Sequence, residues 1–251
     1  NLSAFFTIYL SLLLVFESGD INLLAEFWGH ALFIFINLTL RLITHMNTFK
    51  KTLLATAAIS TMAMGVAPVA VAEVAASASI SSTYLWRGYD LGSGTPALAA
   101  DLVYSEGGFY GGLWLSSGDT ANGTEYDFFV GYGGSVGEFS YDISYATYVY
   151  PTGTSSIDKP GELAEYIYSV GYGPVSLTVF DDVDTDYTYT AVGYDIADFS
   201  LMYGAHKDGQ ENFDVTYSYS DSMSFTYSVP FGVDGDVEAE PTFVASYSLP
   251  F

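Results

Sequence analysis

Between residue 73 and the C-terminus, hydrophobic residues return at every second position in one stretch after another. In residues 139–149, for example, aromatic and aliphatic side chains alternate with Ser, Asp and Ala. A period of two predicts strands with one apolar and one polar face. The same period recurs in residues 213–219, 223–229 and 243–251, and no convincing helical period follows residue 73. The sequence therefore predicts an all-β fold for residues 73–251.

The hydrophobic runs and the Gly, Pro and Asp breakers between them predict twelve strands, and ten to fourteen would also be compatible. The strands are expected at about 77–89, 96–105, 109–117, 124–132, 138–149, 162–172, 175–181, 186–195, 199–206, 212–220, 223–230 and 241–251. Every second connection has five residues or fewer, whereas the others run to as many as twelve residues. This alternation is typical of a transmembrane antiparallel up-and-down β-barrel with short periplasmic turns and long extracellular loops.

Periodicity alone does not exclude a soluble β-sandwich, which also alternates. The even strand count and the tyrosines near strand ends favour the barrel, because aromatic girdles mark the two interfaces of a membrane. These tyrosines are Tyr104, Tyr126, Tyr132, Tyr172, Tyr187 and Tyr219.

A signal peptide is predicted at residues 46–72. Lys50 and Lys51 precede an uncharged stretch, and Ala70-Val71-Ala72 has the form of a cleavage site. We expect cleavage after Ala72, with Ala76 as the second choice, so that residues 73–251 form the mature barrel. A retained transmembrane helix fits less well, because the stretch is short and Ala-rich.

Residues 1–45 contain two mostly apolar runs, each shorter than the roughly 20 residues of a spanning helix. A pair of membrane helices is one interpretation. The interpretation we prefer is that Met46 is the start and that residues 1–45 are upstream sequence outside the mature protein.

The charge of the chain lies almost entirely in the predicted barrel. Residues 1–72 hold three basic and three acidic residues, whereas the remaining 179 residues hold 26 acidic residues against Arg87, Lys159 and Lys207. Isolated cations cannot hold a phosphate backbone, which argues against nucleic-acid binding. Cys is absent, so no disulfide or thiolate metal site can form.

A secreted chain that ends in an aromatic strand at Phe251 resembles Gram-negative outer-membrane proteins, in which the last strand is the signal for the barrel-assembly machinery. More narrowly, Ser81-Ser82-Thr83-Tyr84-Leu85-Trp86-Arg87-Gly88-Tyr89, Pro96-Ala97-Leu98 and Gly107-Gly108-Phe109-Tyr110-Gly111-Gly112-Leu113-Trp114 resemble the TorF-family porins. The resemblance is strongest over 77–135. It implies an outer-membrane barrel with a pore, and it implies no particular solute.

Six carboxylates fall on the predicted inward set of the strands: Asp101, Glu125, Asp127, Asp142, Glu165 and Asp214. Carboxylates that line a narrow passage attract cations and repel anions. The alternative is a solvated polar lumen without selectivity, which is ordinary in such barrels. Twelve strands give a backbone radius on the order of 12 Å, so the passage would be small or plugged.

Arg87 falls on the inward set of the predicted first strand. It could be a cation at the constriction, but an unpaired buried cation is costly. An ion pair with a lumen carboxylate is therefore the preferred interpretation.

Two acidic clusters, at 181–186 and 234–240, lie at predicted extracellular connections. Neither has the spacing of a calcium loop, so a solvated loop with at most weak Ca²⁺ binding is expected, and no metal site or other cofactor is predicted.

A lipid hydrolase would need a nucleophile and a base outside the barrel wall. The mature part offers only His206, on the inward set, and no recognisable serine motif. The sequence thus predicts a non-catalytic outer-membrane porin for small solutes or ions, leaning towards cations, with membrane lipid as its surroundings. A plugged barrel with a structural or surface-interaction role is the alternative.

Overall fold

A computed structural model describes residues 72–153, 157–207, 209–232 and 240–251. The predicted upstream segment and nearly all of the predicted signal peptide lie outside these residues. Within the described ranges, no helix is long and apolar enough to cross a membrane.

The described residues contain fourteen β-strands. They are β1 Glu73–Ser81, β2 Leu85–Trp86, β3 Tyr89–Asp90, β4 Ala97–Glu106, β5 Phe109–Asp119, β6 Gly123–Val136, β7 Phe139–Val149, β8 Ala164–Tyr172, β9 Val175–Asp182, β10 Thr188–Ile196, β11 Phe199–His206, β12 Glu211–Ser218, β13 Met223–Phe231 and β14 Thr242–Pro250. Twelve of them form the barrel wall, while β2 and β3 form a separate hairpin.

The wall is closed because β1 pairs with both β4 and β14. Ser79 lies opposite Ala99 on β4 and opposite Ser248 on β14, and every pairing in the wall is antiparallel. From β4 to β14 each strand pairs with the next one along the chain. The prediction of an all-β, twelve-stranded, up-and-down barrel is confirmed.

The connections divide the barrel into two ends. At one end, called the short-turn end, strands are joined by residues 107–108, 137–138, 173–174, 197–198 and 219–222, and both β1 and β14 have their outer termini there. At the other, called the long-loop end, the connections are residues 82–96, 120–122, 150–163, 183–187, 207–210 and 232–241. This asymmetry agrees with the alternation of connection lengths in the sequence.

The first strand was predicted at about 77–89, and this range is wrong at its end. β1 stops at Ser81, and the chain then leaves the wall. Arg87 and Gly88 have φ angles of +48° and +86°, which a strand cannot accommodate. The prediction failed because β-favouring residues such as Thr83, Tyr84 and Trp86 continue past the point at which the chain turns inward.

The outer face of the wall carries exposed aromatic and aliphatic side chains. Phe109 and Tyr132 pack together near the short-turn end with ring centroids 4.7 Å apart, and Tyr145 and Tyr166 pack near the long-loop end at 5.6 Å. Tyr187 departs from the prediction that placed it on this face. It lies in the connection 183–187, with its hydroxyl 2.5 Å from Nδ1 of His206 inside the barrel.

An apolar cluster lies inside the barrel. It is built from inward side chains of seven residues: Tyr110, Phe129, Ala146, Ile167, Phe180, Tyr189 and Ala191. Glycines in the wall make room for the large rings. A Cβ added to Gly204 would lie 1.9 Å from the Tyr189 hydroxyl oxygen, and one added to Gly131 would lie 2.4 Å from the Tyr110 ring. The interior is thus packed rather than uniformly polar.

Candidate functional site in the barrel lumen

The connection between β1 and β4, residues 82–96, folds into the lumen at the long-loop end. We call it the inner loop. Thr83, Tyr84, Leu85 and Arg87 are all buried, and Arg87 is only 2% exposed. The part of the barrel that the sequence assigns to an open mouth is therefore occupied by the chain itself.

At the tip of the inner loop, the two-residue strands β2 and β3 form a hairpin with a two-residue turn. Trp86 pairs with Tyr89, and Arg87 and Gly88 make the turn between them. Positive φ angles at both turn residues are the signature of a type I′ turn, in which Asn and Gly are usual at the first position. Gly88 is required here for a second reason, because an added Cβ would lie 2.7 Å from Cβ of Asn212 on β12.

Hydrogen bonds within the inner loop hold its shape. The amide of Leu91 donates to the carbonyl of Tyr84 over 2.8 Å. Asp90 accepts from the hydroxyl of Thr83 and, over 3.1 Å, from the amide of Gly94. The loop is a folded unit with its own local contacts.

The charged centre of the site is an ion pair between Arg87 and Glu165 on β8. The two guanidinium Nη atoms donate to the two carboxylate oxygens over 2.7 and 2.6 Å, and the hydroxyl of Tyr148 on β7 donates to Oε2 over 2.7 Å. Such a two-pronged pair fixes both the position and the orientation of the guanidinium. The expectation that Arg87 pairs with a lumen carboxylate is confirmed, although Arg87 reaches that carboxylate from the inner loop and not from the wall.

Three aromatic rings surround the same guanidinium. Its Cζ atom lies 4.1 Å from the ring centroid of Phe180, 5.1 Å from that of Tyr189 and 4.6 Å from that of Trp86. All three distances are within the range of cation–π attraction. We call Glu165, Phe180, Tyr189 and Trp86 the arginine cage.

His206 at the end of β11 holds the backbone of the turn. Its Nε2 lies 2.8 Å from the carbonyl oxygen of Arg87, which can only accept a hydrogen bond. Nε2 is therefore the donor, and in a neutral ring Nδ1 is left to accept from the Tyr187 hydroxyl. His206 is turned into the lumen, so it lies away from the outer surface where a lipid-cleaving base would be needed.

Glu125 on β6 forms the second anchor of the inner loop. It accepts hydrogen bonds from the hydroxyls of Tyr84, over 2.9 Å, and Tyr150, over 2.7 Å. Burial, followed by the negative charge of Glu125, raises the pKa of both phenols, so both stay protonated and can donate. Tyr84 also packs against Trp114, with ring centroids 6.0 Å apart.

Near the hairpin, Asp214 on β12 belongs to a polar network. It accepts from the side-chain amide of Asn212 over 3.0 Å and from Ser228 over 2.6 Å, while Asn212 accepts from Tyr189 over 3.0 Å. This network ties Tyr189, one ring of the arginine cage, to β12, where Asn212 lies beside Gly88 of the hairpin.

The structure brings together five of the seven residues proposed to line the lumen. Glu125, Asp127, Glu165 and Asp214 are buried around the inner loop, and Arg87 lies among them. Oδ1 of Asp127 has no hydrogen-bond partner among the described residues.

The other two proposed residues lie apart from this group and are partly exposed. Asp101, halfway along β4, accepts from Ser77, while Asp142, towards the short-turn end of β7, accepts from the Tyr110 hydroxyl over 2.9 Å. They belong to the half of the lumen that the inner loop does not enter.

Sequence reasoning missed the aromatic part of the site. Tyr148, Phe180 and Tyr189 stand on the inward set of their strands, where polar side chains were expected. A usable signal was present: β7, β9 and β10 each carry an aromatic residue at an inward position close to the long-loop end. The role of Tyr84 carried no such signal, because its position depends on where β1 ends.

The described residues contain no group of three or more His, Cys, Asp or Glu side chains placed to hold a metal ion. In the acidic segment 181–186, Asp182 accepts hydrogen bonds from the amides of Asp184 and Thr185, which is an ordinary loop arrangement. The second acidic segment, 234–240, lies outside the described residues except for Glu240. Weak Ca²⁺ binding remains a prediction.

Residues 65–233 match the model of one protein family, described as "Bacterial protein of unknown function (Gcw_chp)". The match covers more than half of the chain, so the chain belongs to this bacterial family. No curated protein matches the sequence.

Proposed function

We propose that this protein is a porin-like barrel of the bacterial outer membrane, related in function to the TorF-family porins that its sequence resembles. In the described state its passage is closed by the inner loop. The observation that carries the proposal is a closed twelve-stranded wall with an apolar, aromatic outer face around a lumen that holds buried charged groups.

The outer face supports a membrane location. Its exposed side chains include Leu102, Val130, Ile143, Val170 and Leu249. Apolar patches of this extent are rare on soluble monomers, and lipid is the surrounding that removes their contact with water. Closure of the wall leaves no open sheet edge, as a membrane-spanning sheet requires.

The inner loop closes the passage because it reaches across the lumen. It starts at β1 and contacts residues of β5, β6, β8, β9, β10, β11 and β12, from Trp114 to Asn212. A water-filled channel would leave the surrounding carboxylates wet, yet Glu125, Asp127 and Glu165 are each less than 5% exposed. Solutes can pass only when the hairpin moves.

The charge of the chain favours cations as the transported class. After residue 72 the sequence has only three basic residues, and in the described structure Arg87, Lys159 and Lys207 each pair with a carboxylate. The remaining acidic side chains give the long-loop end a negative potential, which raises the local concentration of cations.

A second candidate function is a permanently filled barrel with a structural or surface-interaction role. The packed cluster around Phe129 and Ile167, together with the buried inner loop, favours this candidate. In neither case do we propose catalysis or a cofactor. The proposed surroundings are outer-membrane lipid, and assembly would use the last strand.

The test begins with cell fractionation and then compares two proteins in planar bilayers. One is the intact protein, and the other has residues 84–92 of the inner loop replaced by a short Gly-Ser linker. We expect the intact protein to conduct rarely and the loop variant to show discrete, cation-selective steps. Recovery in the soluble fraction would overturn the membrane location, and a folded loop variant that never conducts would favour the filled-barrel role.

A further inference from the structure

We propose that the arginine cage is a binding site for solutes that carry a guanidinium or a similar planar organic cation, and that Arg87 occupies this site in the closed barrel. As a statement about the transported solute, this inference rests on the proposed function. As a statement about binding, it can be tested on the folded protein alone.

The wall supplies both kinds of contact that a planar cation needs. Glu165 presents two carboxylate oxygens in one plane, 2.7 and 2.6 Å from the Nη atoms of Arg87. Phe180 presents its ring to the guanidinium at 4.1 Å. A fork of N–H donors with an aromatic face beside it distinguishes a guanidinium from a compact ammonium ion. The site therefore selects shape as well as charge.

The wall side of the cage is held in place without help from Arg87. The Tyr148 hydroxyl donates to Glu165, and the Tyr189 hydroxyl donates to Asn212. The hydroxyl end of Tyr189 lies against Gly204, where a larger residue would leave no space for it. Phe180 and Tyr189 pack against each other with centroids 5.9 Å apart. Withdrawal of the hairpin would expose a preformed pocket, and such pockets bind with little ordering cost.

The backbone conformation of Arg87 does not favour an arginine. The residue at this position is therefore explained by the contacts of its side chain and not by the preference of the turn. Its φ of +48° is in the left-handed region, where Asn, Asp or Gly is expected at the first position of this turn. A non-glycine residue held in such a conformation points to a functional constraint. The fit is nevertheless incomplete, because Nε of Arg87 is buried without a hydrogen-bond partner among the described residues. A free cation is not attached to the turn, so it could take an orientation in the cage that the backbone denies to Arg87.

The location suits a solute that competes with Arg87. Several acidic residues lie in loops at the same end of the barrel, among them Asp184 and Asp186, which are exposed. They would concentrate organic cations beside the hairpin. A cation that binds Glu165 and Phe180 in place of Arg87 releases the tip of the inner loop, so that binding and opening are coupled through one site.

The first experiment uses the Arg87→Ala variant, folded in detergent micelles and titrated with methylguanidinium. Methylurea, which has a similar shape but no charge, is the matched probe. We expect methylguanidinium to raise the unfolding temperature and change tryptophan fluorescence in a saturable way, with methylurea about tenfold or more weaker. The double variant Arg87→Ala, Glu165→Gln should lose the response. Equal responses to both probes, or a response that survives in the double variant, would overturn the inference.

The second experiment uses the unaltered protein and decides the case if the alanine variant fails to fold. Proteoliposomes are tested for uptake of agmatine, which has a guanidinium head, and of N-carbamoylputrescine, which has a neutral urea head on the same chain. We expect agmatine to enter about tenfold faster, and Glu165→Gln to remove the difference. Equal uptake by a barrel that conducts KCl contradicts the cage as a selective site. If neither probe enters and KCl passes through neither the unaltered protein nor the variant with residues 84–92 replaced, the proposed function fails. Binding of methylguanidinium to that loop variant in micelles, with and without Glu165→Gln, then decides the cage alone.

Discussion

The two halves of the lumen are built on the same alternating strands, yet they have opposite interiors. Towards the long-loop end, Glu125, Glu165 and Arg87 are buried and bonded to each other or to phenols. Towards the short-turn end, Asp142 is partly exposed and Ser140 and Ser176 are exposed. The wall pattern alone does not account for this difference. It arises because a long connection can fold into the barrel, whereas a two-residue turn cannot.

A carboxylate also depends on its partner to a different degree in each half of the lumen. In the buried half, Glu165 lies where water cannot replace a lost partner, so its pairing with Arg87 decides whether the charge is tolerable. In the open half, Asp142 can exchange the Tyr110 hydroxyl for water. Equivalent changes in the two halves should therefore have unequal effects.

The largest effect is expected from removing the inner loop. Replacing residues 84–92 with a Gly-Ser linker would make the long-loop half resemble the short-turn half, with wet wall carboxylates and a continuous passage. Single-channel recording should then show conductance of an order of magnitude or more above that of the intact protein, with cation selectivity. An unchanged current in a folded variant would mean that the apolar cluster, rather than the loop, closes the barrel.

Neutralising Glu165 should destabilise the protein strongly. Glu165→Gln leaves Arg87 buried without its paired carboxylate, and breaking a buried ion pair costs about 3–5 kcal/mol. Equilibrium unfolding in detergent with urea measures this free energy. The control is Glu138→Gln in the exposed turn 137–138, which removes the same charge and should change the free energy by less than about 0.5 kcal/mol. Equal effects of the two changes would contradict the buried pair.

Gly88 in the hairpin turn and Gly137 in the turn 137–138 form a matched pair of glycines, one at each end of the barrel. Gly88→Ala forces a Cβ to within 2.7 Å of Asn212 and adds backbone strain at φ +86°, which together should cost about 2–3 kcal/mol. Gly137, with φ +64° and nothing within 4 Å of an added Cβ, carries only the strain, so Gly137→Ala should cost about 1 kcal/mol. The same unfolding assay gives both values, and a smaller cost at Gly88 would argue against close packing of the hairpin.

The smallest difference is expected between two phenols. Tyr84→Phe leaves Glu125 with one donor fewer in a buried site, at a cost of about 1.5–3 kcal/mol. Tyr110→Phe removes a bond to the partly exposed Asp142, where water can substitute, and should cost about 0.5–1 kcal/mol. A larger loss at Tyr110 would reverse the comparison between the two halves.

Much of the wall was predictable from the sequence because a barrel strand is recognised locally. The alternation in residues 139–149 matches β7, Phe139–Val149, and the short connections mark one end of the barrel. Along the strands, Glu165 falls near the long-loop end and Asp142 near the other, as expected from strand direction. Register and parity thus follow from a period of two, which any stretch of about ten residues displays.

The inner loop was not predictable for the opposite reason. Residues 83–86 favour a β-strand as the wall residues do, and no local feature marks the end of β1 at Ser81. Arg87 meets Glu165, which lies 78 residues further along the chain, and Tyr187 turns inward to His206. Such contacts depend on where the closed wall brings distant strands.

The sequence by itself indicated the strand number, the two ends and the inward carboxylates. Only the tertiary structure decided that the long-loop half of the lumen is filled. The physical reason is that burying an unpaired guanidinium is costly, so the position of the inner loop depends on where Glu165 and the aromatic rings converge.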